Sequence, residues 1–293
     1  MLFKGCATAL ITPFTDDGIN FEVFKQIIDN QIHCGVQAII VCGTTGEPST
    51  MTEQEHKSAI AFAVSVVNKR VPVIAGTGSN DTKKAINMSK FAESAGADGL
   101  LLVTPYYNKT TENGLVTHFT EIARNVTLPI ILYNVPARTG MNILPNTVLK
   151  LSKVSNIVAV KEASGNLQQT YDILADCPKY FTVYIGNDEQ ILPALMLGAS
   201  GIISVASNVV PALICSICNL YDEGKIKEAQ QIFKKVLPFI NSLFCETNPI
   251  PVKTAMNLIG FDAGNLRLPL VPMQENNLNK LKTELKKLNL ISQ

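Results

Sequence analysis

Charged side chains are sparse in this chain. They make up 17% of its 293 residues, the net charge is +1, and there is no basic run or aromatic-studded basic stripe. That removes the electrostatic footprint of a nucleic acid or acidic-membrane partner. Histidine is scarcer still. His33, His56 and His118 lie far apart in helix-like stretches, and none has a neighbour at metal-ligand spacing. No zinc site is expected, which argues against a zinc-dependent aldolase. No GxSxG pattern occurs, so the nucleophile elbow of a Ser–His–Asp hydrolase is missing. Gly76-Thr77-Gly78 is followed by Ser79-Asn80-Asp81 and lacks the third glycine of a dinucleotide-binding turn. The start, Met1-Leu2-Phe3-Lys4, turns at Pro13 and Asp16-Asp17-Gly18. It has neither the basic opening nor the sustained apolar core of a secretory signal.

What is abundant is apolar surface. Hydrophobic residues reach 46%, enough for a large core in either two ordinary domains or one barrel of about 250 residues with an appendage. The seven cysteines are odd in number and lie mostly in apolar segments, the pattern of reduced thiols in a cytoplasmic protein. Cys215-Ser216-Ile217-Cys218 is formally a CxxC, but it sits in a helix-like stretch with no second pair or nearby histidine, so core packing is the reading. Gln190 to Tyr221 carries no charged side chain and superficially suggests a membrane span. Pro193, Gly198, Gly201, Asn208 and Pro211 divide it into helix, strand and helix, each of soluble length.

Short apolar runs recur at Ala7–Ile11, Ala38–Cys42, Val71–Ala75, Gly99–Val103, Pro129–Tyr133, Ile157–Lys161, Phe181–Ile185 and Gly201–Ser204. They are continuous rather than alternating, as parallel strands covered on both faces should be. Helical patterns lie between them, with start signals at Thr52-Glu53-Gln54-Glu55 and at Asn80-Asp81. Roughly eight strand–helix units with short links predict an α/β fold, a closed (β/α)₈ TIM barrel. From about Gly224 the pattern is purely helical. The expected division is therefore a catalytic barrel over 1–223 and a small helical appendage over 224–293.

In such a barrel, chemistry sits where strands end. The sixth run ends in Lys161. A cation at the end of a buried strand is costly unless it is paired or uncharged, and the uncharged amine is the form that attacks a carbonyl. The plainer alternative is a lysine that snorkels to the surface or pairs with a carboxylate. The second strand ends in Gly43-Thr44-Thr45-Gly46-Glu47, a small cradle for a carboxylate or simply a turn. The fourth ends in Thr104-Pro105-Tyr106-Tyr107-Asn108, whose paired tyrosines suit an interface as well as a proton relay. The fifth ends in Tyr133-Asn134-Val135-Pro136-Ala137-Arg138-Thr139-Gly140. Tyr133 stands one strand from Lys161, close enough for its phenol to move protons for an imine, and Arg138 has the fork that holds a carboxylate. The seventh ends in Gly186-Asn187-Asp188-Glu189, read as a helix N-cap.

Together Gly43-Thr44-Thr45-Gly46-Glu47, Tyr133-Asn134-Val135-Pro136 and Lys161-Glu162 resemble the pyruvate-dependent class I aldolase superfamily, which includes N-acetylneuraminate lyase and dihydrodipicolinate synthase. The likeness runs from Gly5 to about Pro269. Arg138, Thr104–Asn108, Asn248-Pro249-Ile250-Pro251-Val252-Lys253 and Leu266-Arg267-Leu268-Pro269 are similar to the dihydrodipicolinate synthase branch.

The resemblance implies a lyase of diaminopimelate and lysine biosynthesis. Lys161 would form a Schiff base with pyruvate, and the enamine would attack L-aspartate 4-semialdehyde on the way to 4-hydroxy-tetrahydrodipicolinate. It implies a proton relay of Tyr133, Thr44 and Tyr107, the last donated by a neighbouring subunit. Thr45 would bind the pyruvate carboxylate, main-chain groups of Gly186 and Ile203 would line the pocket, and Arg138 would anchor the semialdehyde carboxylate. It implies no cofactor or metal, and a homotetramer built as a dimer of tight dimers. Lysine-inhibited relatives carry histidine at the place of Glu53 and glutamate at that of Lys84. A lysine opposite an effector's ammonium is repulsive, so weak or absent lysine feedback is expected. Pro48 and Ser49 also differ from those relatives, and Thr110 stands where a proline is common. Two other readings compete: a lyase for sialic acid or a 2-keto-3-deoxy sugar acid, and a non-catalytic keto-acid-binding barrel. A polyol chain needs hydroxyl partners rather than the guanidinium of Arg138, and the intact Lys161, Tyr133, Thr44 and Tyr107 set argues against a silenced site.

Overall fold

A computed structural model describes residues 1–292. Eight parallel strands close into a barrel: Gly5–Ala9, Ala38–Val41, Val73–Gly76, Gly99–Val103, Ile130–Asn134, Ile157–Glu162, Thr182–Ile185 and Gly201–Ser204. The first strand pairs with both the second and the eighth, Ala7 with Ala38 and Gly5 with Gly201. The predicted (β/α)₈ barrel is therefore present, with every expected strand found within two residues of its place. A two-stranded hairpin, Phe14–Thr15 with Gly18–Ile19, precedes the first helix. The sequence reading had only a turn there.

Period-two alternation along each strand splits the apolar core into two layers. Ala7, Ala38, Ile40, Ile74, Leu101, Ile131, Ala159 and Ile203 fill the barrel interior. Cys6, Ile39, Val41, Val73, Leu102, Leu132, Val160 and Ile202 face the helices. The interior is closed at the strands' N-terminal end by Phe3 stacked on Tyr184, 4.1 Å between centroids, with the Tyr184 hydroxyl donating to Phe3 O at 2.7 Å. Burial raises that phenol to about 12. Only the opposite, C-terminal mouth is left for chemistry.

The helix starts follow local capping rules. Thr52 and Glu55 form a reciprocal capping box on Glu53–Val67, and the Asp81 side chain accepts from Lys83 N and Lys84 N to start Thr82–Ser94. The uncharged stretch from Gln190 resolves into Ile191–Leu197, Gly201–Ser204 and Pro211–Asp222. Among the described residues no helix is long and apolar enough to cross a membrane. Cys215 and Cys218 are buried on Pro211–Asp222, which packs on the first strand. Helices Ile226–Ser242, Ile250–Leu258 and Glu275–Lys287 follow.

Candidate active site

Along the sixth strand Ala159 faces the barrel interior and Val160 the helices, so Lys161 turns inward and Glu162 outward. Lys161 is 4% exposed, and its Nζ lies 4.3 Å from the centroid of the Tyr133 ring. The two residues are direct partners in the sheet, followed on the next rung by Asn134 and Glu162. Gly186 lies against the lysine stem. A Cβ there would stand 2.8 Å from Lys161 Cε and 2.7 Å from the Ala163 Cβ, so only glycine leaves the stem its place. Ile203 is buried inside the barrel and paired with Ala7.

Thr44 and Thr45 open a single 3₁₀ turn, Thr44–Gly46, after Gly43. Glu47 then adopts a left-handed conformation, φ 56°. Its carboxylate bonds Lys253 Nζ at 2.8 Å, both side chains being 1% exposed, and accepts from Arg267 N at 3.1 Å. Burial holds the Lys253 ammonium below its ordinary value against the pull of Glu47. Removing one partner of such a pair typically costs about 3–5 kcal/mol, so the Thr44–Thr45 turn is firmly tied to the C-terminal helices. Thr45 Oγ1 accepts from Asn248 Nδ2 at 3.0 Å, and Arg138 Nη2 donates to Asn248 O at 2.7 Å.

Thr44, Tyr133 and Arg138 line a cleft of about 530 Å³ that continues outward past Glu53, His56, Lys84 and Tyr106. Lys161, Thr45, Gly186 and Ile203 are not part of its wall. The His56 ring, bonded to Gly76 O at 2.8 Å, is pushed below its ordinary value by burial. Glu53 is occupied by Lys57 at 2.6 Å. Among the described residues, no hydrogen bond joins the side chains of Thr44, Tyr133 and Lys161. Strand register brings Tyr133 and Lys161 together, and Thr44 shares the cleft wall with Tyr133.

Tyr107 is the one candidate that stands apart. It is 92% exposed, at φ 68°, a left-handed conformation that is uncommon for residues other than glycine.

Two features escaped the sequence reading. Glu162 is fully buried and accepts from Asn134 Nδ2 at 2.9 Å, Gln169 Nε2 at 3.1 Å and Ser164 N at 2.7 Å. Asn142 closes the ring through Asn134 at 2.7 Å and Gln169 at 2.8 Å. This network clamps the outer face of the rungs whose inner face carries Tyr133 and Lys161. The signal was present as a second charge next to Lys161 on a buried strand, but its partners are dispersed in sequence. The other feature lies in the expected N-cap of Gly186-Asn187-Asp188-Glu189, where Asn187 does occupy the N-cap position of the turn Asp188–Gln190. The Asn187 side chain makes no capping bond to its 3₁₀ turn. Asp188 instead accepts from Ser204 Oγ, Val205 N and Ala206 N, which ties the seventh strand's loop to the eighth's. Burial raises that carboxyl to about 6.

The sequence model of the Dihydrodipicolinate synthetase family matches residues 2–288. The chain belongs to that family. It is 56% identical to 4-hydroxy-tetrahydrodipicolinate synthase of Clostridium novyi, over 99% of this chain and 98% of the relative. The crystal structure of dihydrodipicolinate synthase from Thermotoga maritima superposes with a TM-score of 0.97 at 39% identity, covering 99% of this chain and 100% of that one. The chloride-inhibited enzyme from Acinetobacter baumannii, solved in complex with pyruvate, gives 0.96 at 39% identity over 98% and 99%. Membership of the dihydrodipicolinate synthetase family makes the barrel mouth the place to look for a Schiff-base lyase.

Proposed function

We propose that the chain is a 4-hydroxy-tetrahydrodipicolinate synthase, and that Lys161 condenses with pyruvate. The supporting observation is the inward pair on adjacent strands, the Lys161 amine 4.3 Å from the Tyr133 ring inside a barrel sealed at its other end. An amine held against a phenol in a dry site is suited to attack a ketone and to have protons delivered to the departing oxygen.

Lys161 Nζ adds to C2 of pyruvate, and the carbinolamine loses water to give the imine. Loss of a C3 proton gives the enamine, whose carbon attacks the aldehyde of L-aspartate 4-semialdehyde and forms the new C–C bond. The amino group of the semialdehyde unit then displaces Lys161 from C2, closing the ring and freeing the enzyme. Tyr133 and Thr44 carry protons in these steps, with Tyr107 of a second subunit completing the relay. Thr45 holds the pyruvate carboxylate, main-chain groups of Gly186 and Ile203 border it, and Arg138 takes the semialdehyde carboxylate. No cofactor enters this scheme. The exposed, left-handed Tyr107 is what a residue committed to a neighbouring copy looks like, and supports the tight dimer within the proposed dimer of dimers. The residues from 224 onward act as an appendage that buttresses the barrel mouth, and the site of action is the cytoplasm.

A coupled assay separates this reading from its rival. Turnover should occur with pyruvate and aspartate semialdehyde and not with pyruvate and N-acetylmannosamine. The reverse preference would make the chain a sugar-acid lyase.

A further inference from the structure

Resting on that reading, we propose that Asn248 is a positioning residue that sets the donor direction of the Thr45 hydroxyl and thereby shapes the cradle for the pyruvate carboxylate. Asn248 and Thr45 are 7% and 2% exposed and lie 203 positions apart in the chain. The amide Nδ2 donates into Thr45 Oγ1 at 3.0 Å. A hydroxyl both donates and accepts. With an N–H filling its acceptor side, the Thr45 proton is directed away from Asn248, and no other group among the described residues receives it. A carboxylate is an acceptor only, so a substrate anion is the complement of the hydroxyl as Asn248 leaves it.

The rest of the amide supports a dedicated orientation. Asn248 Oδ1 is buried without a hydrogen-bond partner, an arrangement that costs free energy and persists where the surroundings fix the side chain. The surroundings here do so from both sides. The main-chain oxygen of Asn248 accepts from Arg138 Nη2 at 2.7 Å, and five residues on, Lys253 is locked to Glu47, two residues after Thr45. One residue of the C-terminal region therefore touches both groups assigned to substrate carboxylates. It touches Thr45 through its side chain and Arg138 through its backbone, and this makes the two roles separable by substitution.

Asn248→Asp presents only acceptors to Thr45. The Thr45 proton turns toward the new carboxylate, and a negative charge stands beside the cradle. The pyruvate KM should rise at least tenfold, with borohydride trapping of the pyruvate adduct saturating at correspondingly higher pyruvate. Asn248→Ala deletes the donor without adding charge and should raise the pyruvate KM severalfold. In both variants the semialdehyde KM should change less, because Arg138 keeps its main-chain partner. In a Thr45→Val background, Asn248→Ala should have almost no further effect on the pyruvate KM, a coupling that a merely structural role would not produce. If Asn248→Asp does not fold, Asn248→Ala and the cycle decide alone. A pyruvate KM within twofold of the parent for Asn248→Ala, or an undiminished effect without the Thr45 hydroxyl, would overturn the proposal. A parent protein that forms no pyruvate adduct on Lys161 would instead remove the reading on which it rests.

Discussion

Lys161 and Tyr133 sit on neighbouring strands of the barrel, directly paired and buried, whereas Tyr107 sits on a loop, 92% exposed and left-handed. The first pair is held by the sheet. Its geometry follows from strand register, from the Glu162 network clamping the next rung, and from a glycine at 186 that leaves room for the lysine stem. Tyr107 has none of these supports. On the proposed reading, the Lys161–Tyr133 pair is built into one chain, and Tyr107 joins the relay only from a second subunit. Substitutions on strands should therefore damage chemistry in any assembly state, while those on the loop should matter through assembly.

Tyr133→Phe should produce the largest loss. Removing a positioned general acid–base group costs roughly 10²–10⁴-fold in turnover, visible in kcat with little change in the far-UV circular dichroism spectrum. Tyr107→Phe should fall at the low end, about 10²-fold. Here the parent protein should also lose activity per subunit on dilution, followed by analytical ultracentrifugation and assay in parallel. Constant specific activity down to a monomer would erase the contrast between the two tyrosines.

Arg138→Ala should raise the semialdehyde KM by roughly 10–100-fold, from a hydrogen bond to a charged group worth about 1.5–3 kcal/mol, with a much smaller change for pyruvate. Equal effects would mean that Arg138 does not discriminate between the substrates. Lysine should inhibit weakly or not at all. Glu53 and Lys84 both border the outer cleft, and Glu53 already pairs with Lys57. Clear inhibition by submillimolar lysine would contradict this.

The smallest effect concerns acid stability. Arg267 holds the Glu55 carboxyl at about 2, below an ordinary value of 4.5. A carboxyl depressed on folding stabilises the protein above its unfolded value and loses that contribution as pH falls through the folded one. Arg267→Met should therefore move the midpoint of acid unfolding modestly upward, and an unchanged midpoint would mean that solvent screens the pair.

The barrel could be read from sequence because parallel strands covered on both faces are continuous apolar runs, and eight of them recur. Lys161 and Tyr133 could be read because each ends such a run and adjacent ends are neighbours in space. The helix start signal at Thr52-Glu53-Gln54-Glu55 was likewise local, and the structure makes it a capping box. The contacts that could not be read join distant segments through polar groups. Thr45 meets Asn248 and Glu47 meets Lys253 across more than 200 residues, and Asp188 serves the next strand's loop rather than its own helix. Glu162 was visible as part of a motif, yet its role depends on Asn134, Asn142 and Gln169, which periodicity does not connect to it. Pattern reading finds what the backbone repeats. Side-chain networks that cross elements carry no period.

Borohydride reduction in the presence of pyruvate, followed by peptide mass mapping, decides whether Lys161 is the nucleophile. One stable adduct is expected, on Lys161, abolished in Lys161→Ala. An adduct on any other lysine, or no adduct at saturating pyruvate, would contradict it.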